Sequence, residues 1–181
     1  MRYQHLDPGA SVTETIPLCV REGRIEAASH GLVLHAEREL ASPSIAGVAV
    51  SQARTFINER RVLVVSYDRD EPPGTLGYTV VVRPGCSVGD HYHHRREERI
   101  LLLHGRGEFR LLDERAGSPT RGVANFFTVE YPGTCVRVPT GVAHTIIADG
   151  ILTVLQVLAS SDYDPADDVP VPLSSVRVAT E

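Results

Sequence analysis

The chain has 181 residues, with 42% hydrophobic and 23% charged residues and a net charge of −5. That is the size and composition of one globular unit with room for a closed core, and the acidic balance excludes a broad basic face for nucleic acid. All 18 basic residues are arginine, so no lysine side chain is present for Schiff-base or pyridoxal phosphate chemistry.

Residues 1–55 carry weak helix signals and two candidate strands, Gly31–Glu37 and Ile45–Val50. They are read as an arm of extra strands, packed on the main body or on a second subunit. No basic segment leads into an apolar run at the N-terminus, which argues against a signal peptide. No apolar stretch approaches the ~20 residues that a membrane crossing needs. Cys19, Cys86 and Cys135 are odd in number and widely spaced, so a reducing compartment fits and no disulfide framework is expected. Cys86 and Cys135 are read as small buried residues. A soluble cytoplasmic protein with no membrane partner is the expectation.

From residue 56 to 165 the pattern is of short strands. Candidates are Arg61–Tyr67, Leu76–Val82, Arg99–Leu103, Glu108–Leu112, Asn125–Val129, Thr134–Val138, His144–Ala148 and Ile151–Leu158. β-Branched and aromatic residues dominate them, and Gly, Pro and Asp punctuate them, as at Asp70–Gly74, Pro84-Gly85 and Tyr131-Pro132-Gly133. Eight strands at about ten-residue spacing indicate a sandwich or jelly roll barrel. Asp149-Gly150 reads as a hairpin turn that would pair the last two strands. The remainder, 166–181, is acidic and then proline-spaced, and is expected to run over the surface as a C-terminal tail.

Two stretches about fifty residues apart carry the chemistry. The first, Gly85–Gly105, contains His91, His93 and Glu98; the second, Gly133–His144, contains Pro139, Gly141 and His144. Histidines two apart on a strand point to the same side. A carboxylate just beyond them and an imidazole from a distant strand would complete a three-histidine, one-glutamate set, which suits a divalent transition metal such as Fe, Mn, Zn or Ni. His94 would face away from His93, and His104 lies at a turn.

These stretches resemble the two signature motifs of the cupin superfamily, G-x5-H-x-H-x3/4-E-x6-G and G-x5-P-x-G-x2-H-x3-N. Every position matches except the last, where Ala148 replaces asparagine. The resemblance implies an all-β jelly roll barrel with the metal near one mouth, here with an N-terminal extension of extra strands. Its spacing favours Glu98 over Glu97, since only Glu98 leaves six residues before Gly105. Glu97 would then face solvent beside Arg95 or Arg99.

A narrower resemblance links Pro84 to Glu98 to the cupin domains of bacterial sugar-nucleotide epimerases, reductases and isomerases. Phe56-Ile57-Asn58-Glu59-Arg60 and Ser160–Pro165 are similar to the opening and closing segments of that group. It implies proton transfer next to the carbonyl of a keto-sugar nucleotide, with a metal or histidine polarising the carbonyl. The implied residues are His91 or His93 as base and Tyr78, Tyr92 or Tyr163 as acid. Arg83 is a candidate to grip a diphosphate, with Tyr78 and Tyr163 beside the substrate. One departure stands out. The metal-free 3,5-epimerases of this group carry a catalytic tyrosine on the last strand, and that place falls near Val157. A non-haem Fe(II) or Mn(II) dioxygenase acting on a small organic substrate is the alternative, and a non-catalytic ligand-binding module the second. Exposed sheet edges of such barrels are often covered by pairing with a second copy, for which the N-terminal arm is a candidate, so a homodimer is expected.

Overall fold

A computed structural model describes residues 18–67 and 74–179. It is nearly all β, with short 3-10 turns at Pro165–Asp167 and Leu173–Ser175 and no helix long and apolar enough to cross a membrane among the described residues. In chain order the strands are β1 (Val20–Ala28), β2 (Gly31–Leu40), β3 (Ala49–Gln52), β4 (Thr55–Asn58), β5 (Arg61–Val64), β6 (Leu76–Val82), β7 (Ser87–His93) and β8 (Glu98–His104). They continue with β9 (Gly107–Asp113), β10 (Val123–Val129), β11 (Thr134–Val138), β12 (Val142–Ala148), β13 (Thr153–Ala159), β14 (Asp168–Pro170) and β15 (Arg177–Val178).

Two facing sheets make a cupin jelly roll barrel. One has the order β14-β7-β12-β9-β10-β1-β2-β15 and the other β3-β11-β8-β13-β6. From β6 to β9, and again from β10 to β13, the chain changes sheet at every connection. The last two barrel strands therefore do not pair. Asp149-Gly150 carries the chain from one sheet to the other, with β12 bonded to β7 and β9, and β13 to β6 and β8. Asp149-Gly150 does turn the chain, but turn chemistry does not decide which sheet the next strand joins.

The N-terminal extension lengthens both sheets. β1 pairs with β10, β2 with β1, and β3 with β11. The Arg61–Tyr67 candidate shortens to β5 and joins no barrel sheet; it pairs with β4 alone, as an isolated ribbon. Of the Asp70–Gly74 turn only Gly74 falls within the described residues, and the N-terminal leader reading lies outside them.

Alternation decides what is buried. On β13 every second residue is buried, which leaves one face on the core and the other half-buried. β12 breaks that rule: Val142, His144 and Ile146 face the barrel, yet Ala143 and Thr145 are buried as well. The C-terminal segment supplies the cover. Leu173 and Val176 pack with Leu34, Leu112, Ala124, Phe126 and Ala143 into a second core outside the barrel. β14 adds to the edge of β7, and β15 lies parallel to β2. The tail expected to run over the surface is thus part of the sheet, because those two apolar side chains are fully withdrawn from water, each contributing about 1.5–3 kcal/mol. Inside the barrel, Phe109 and Phe127 stack at 5.6 Å between ring centroids and fill its middle. The titratable cluster lies toward one end, where β7 finishes and β8 and β12 begin.

Candidate functional site

His91 and His93 reach the barrel interior from the end of β7, and His144 from β12, where it is the register partner of His91. A bulge sets this up. Pairing passes from His144↔His91 to Thr145↔Gly89, so Asp90 is an extra residue, held at φ 60°. Bulges re-aim neighbouring side chains, and an aspartate tolerates the left-handed conformation better than most residues. Gly89 is required beside it, since a Cβ there would stand 2.5 Å from the His144 carbonyl oxygen. The Pro139-Thr140-Gly141 turn ties the two motifs together, with the Gly141 N–H donating to the His93 carbonyl at 2.7 Å.

The three rings form a compact cluster. Centroids are 4.5 Å apart for His91–His93, 5.0 Å for His91–His144 and 5.6 Å for His93–His144. One nitrogen from each lies within 4.8 Å of the others. Glu98, the first residue of β8, faces them, with its carboxylate 3.6 Å from His93 Nε2 and 3.2 Å from His144 Nε2. The Glu98 carboxyl would be raised by burial, but hydrogen bonding and charge from His144 and His93 outweigh this and hold it well below the usual range. Burial, then the charges of His144 and His93, push the half-buried His91 imidazole down to about 4, so it is neutral at physiological pH.

The outer nitrogens define the tautomers. His144 Nδ1 lies 3.2 Å from the Val142 carbonyl, and His93 Nδ1 lies 3.1 Å from Asp168 Oδ1 and 3.3 Å from the Asp167 carbonyl. The Val142 carbonyl only accepts, so His144 Nδ1 carries the hydrogen and its Nε2 turns inward on Glu98. His93 Nδ1 also has the Arg96 Nη2 donor at 3.3 Å, and there the nearer Asp168 acceptor favours the same tautomer. A lone pair facing a carboxylate at 3.2 Å is repulsive unless a proton or a metal ion stands between. The donor set therefore fits a divalent transition ion: imidazole nitrogens, one carboxylate, and outer acceptors of the kind that orient metal-bound histidines.

Three residues of the site escaped the sequence reading. Arg96 lies in the motif's spacer and is only 3% exposed. Its Nη2 is 3.0 Å from His93 Nε2 and 3.1 Å from Asp168 Oδ1, and its Nε is 3.3 Å from Glu98 Oε1. Asp168 and Asp167 come from the C-terminal segment, the latter accepting from the N–H groups of His94, Arg95 and Arg96. The run of aspartates after β13 is the available signal, and an acidic run by itself predicts solvated surface.

The other candidates separate cleanly. Tyr78 belongs to the site: its hydroxyl donates to Glu98 Oε1 at 3.1 Å, and burial followed by the Glu98 charge pushes its pKa well above that of a free tyrosine. It is also the register partner of Val157, the place where the resemblance expects a tyrosine. Tyr163 lies at the rim, 64% exposed, its ring 5.8 Å from the Arg96 guanidinium carbon. Tyr92 does not join the cluster. Alternation turns it to the outer core, where it meets His94 edge-on at 5.1 Å. Arg83 follows Val82, the register partner of Thr153, whereas Glu98 is level with Ala159, the partner of Leu76. That places Arg83 at the opposite end of the sheet from Glu98, about 20 Å away. Glu97 pairs with Arg137 at 2.7 Å, and Cys86 is exposed, not buried. A cavity of about 530 Å³ is lined by Leu18, Arg21, Arg110, Phe126 and Tyr131 among others, and by none of the cluster residues.

A double-sheet jelly roll barrel with an inward-facing histidine–glutamate cluster at one end is what the resemblance to the cupin motifs implies. The profile of the polysaccharide biosynthesis C-terminal domain family matches residues 58–168, and the chain belongs to that family. No curated protein sequence matches it. Among solved structures it is similar to a 3'-monoepimerase from Streptomyces bikiniensis, crystallised with dTDP, at 22% identity, 72% of each chain covered and a TM-score of 0.65. It is also similar to a 4-keto-6-deoxy sugar epimerase from Streptomyces spheroides, at 20% identity, 76% of this chain and 80% of that one, with a TM-score of 0.62. A dTDP-4-dehydrorhamnose 3,5-epimerase from Bacillus anthracis matches at 16% identity, 76% and 91% coverage, and a TM-score of 0.62. At these identities the likeness establishes the shared fold.

Proposed function

We propose that this chain isomerises or epimerises a keto-sugar nucleotide by moving a proton next to its carbonyl, with one divalent metal ion held by His91, His93, Glu98 and His144. The observation that carries this reading is the Glu98 carboxylate, on which two tautomer-fixed imidazoles and the Tyr78 hydroxyl converge. The sugar-nucleotide class draws on the names of the structural neighbours.

Bound there, a metal would polarise the sugar carbonyl as a Lewis acid and lower the pKa of a coordinated water. The chain's own residues account for the rest. Asp168 and the Val142 carbonyl hold His93 and His144 in the tautomer that presents Nε2. Tyr78 keeps its proton through the neutral range and is the donor toward a developing enolate oxygen. His91, the more exposed ring and uncharged at neutral pH, either completes the ligand set or takes the proton itself. The two roles separate experimentally: His91→Ala loses metal in the first case, and in the second keeps metal but loses proton exchange.

The test is solvent deuterium entering a dTDP-linked 4-keto-6-deoxy sugar, together with metal analysis of protein purified without added metal. Deuterium at a carbon beside the carbonyl supports the reading. Iron with substrate-dependent oxygen uptake and no exchange would replace it with the oxygenase.

The reading includes a homodimer. On the β4–β5 ribbon, Phe56 and Leu63 are register partners on one face and Ile57 and Val62 on the other, and all four are exposed. A two-stranded ribbon is marginal in water, and apolar side chains on both faces suit cover by a second copy of the chain.

A further inference from the structure

Arg96 is a buried cation in a place where a metal site has no evident need of one. Its Nη2 lies 3.0 Å from His93 Nε2 and 3.3 Å from His93 Nδ1, so the guanidinium sits against the ring beside the nitrogen that a metal would use. It also contacts both carboxylates of the site, at 3.1 Å for Asp168 and 3.3 Å for Glu98. The fit is imperfect: the buried Arg96 Nε makes no hydrogen bond, despite the nearby Glu98 oxygen. With the histidines neutral, Glu98, Asp168 and Arg96 sum to one negative charge, and a divalent ion brings the total to one positive charge. Two cations beside one carboxylate repel, and in a protein interior that repulsion is weakly screened.

We propose that Arg96 is the resident counter-cation of this site and competes with the metal for the His93–Glu98 pair, so that it sets how tightly the metal is held. In the metal-free chain it offsets one of the two carboxylate charges of Glu98 and Asp168 and keeps the ligands in place. In the loaded chain it weakens the hold on the ion and leaves excess positive charge for an anionic intermediate. The inference rests on the metal reading above.

The test is competition for Zn²⁺ and Co²⁺ between chelator-stripped protein and a chromophoric chelator, for wild type, Arg96→Met, Arg96→Gln and Arg96→Lys. Both neutral variants are expected to bind at least about tenfold more tightly than wild type, and Arg96→Lys to stay within about threefold of it. Zinc should also raise the melting temperature of the neutral variants more than that of wild type. If the methionine variant does not fold, the glutamine variant, which keeps a donor for Asp168, gives the same reading. Equal or weaker binding by the neutral variants overturns the proposal and leaves the metal reading standing. An equal gain in Arg96→Lys traces the effect to packing, not charge, and also overturns it. Absence of metal binding from all four proteins overturns the metal reading itself, and the Arg96 role with it.

Discussion

Asp168 Oδ1 lies 3.1 Å from Nδ1 of His93, although the two residues are 75 positions apart in the chain. The contact exists because β14 pairs with β7 in a register that sets Asp168 opposite His93. Outer carboxylates of this kind fix the tautomer and raise the basicity of a ligating imidazole. Asp168→Asn is expected to lower metal affinity by about ten- to a hundredfold, read by chelator competition. Unchanged affinity would mean that the Asp167 carbonyl alone orients the ring.

Removing a ligand is the harsher test. His93→Ala should lower metal affinity by at least about tenfold. Full retention of stoichiometric metal by this variant, measured by elemental analysis, would eliminate the assigned set.

Tyr78→Phe deletes one hydroxyl and leaves the ring packed against the core. The expected outcome is a fall of about a hundredfold or more in proton exchange into substrate, with metal content unchanged. Loss of metal together with exchange would instead assign the hydroxyl to holding Glu98.

A pH effect is expected away from the cluster, at Asp113. This fully buried carboxylate accepts from Arg115, Ser118 and Thr120 in the β9–β10 loop. Burial would raise its pKa, but the hydrogen bonds outweigh it and hold the group well below the usual carboxylate range. The folded value lies below the unfolded one, so the stabilisation is complete above the ordinary aspartate value and is lost as pH falls through the folded value. Asp113→Asn should cost about 3 kcal/mol near neutrality and flatten the acid limb of the melting curve. A variant with the same acid limb as wild type would show that Asp113 does not set it.

The dimer is tested on the ribbon. Phe56→Ser with Leu63→Ser clears one apolar face without touching the barrel. Light scattering after gel filtration should show a shift toward monomer. A monomeric wild type would remove the proposed role of the ribbon.

The barrel was legible where the punctuation was strong. β6 and β11 have the bounds expected from sequence, since proline or glycine brackets each. β1 was missed because Arg21, Glu22, Arg24 and Glu26 mask its apolar positions. The four ligand candidates stood out because their spacing repeats a strand period and a motif. Arg96 sits in the spacer, where spacing says nothing about burial. Asp168 reaches the site only through the β14–β7 pairing, and no local pattern announces a contact across that much chain.

The clasp on β7 has a consequence for anyone transplanting this barrel. Asp167 caps the turn after His93, Asp168 meets its ring, and Ser174 donates to Asp90 at the bulge. A graft that stops at the end of β13 would carry over all four ligand candidates but leave behind the groups that orient them. Such a chimera would inherit the cup without its outer sphere, and a crossover point that preserves the chemistry has to fall beyond Val176.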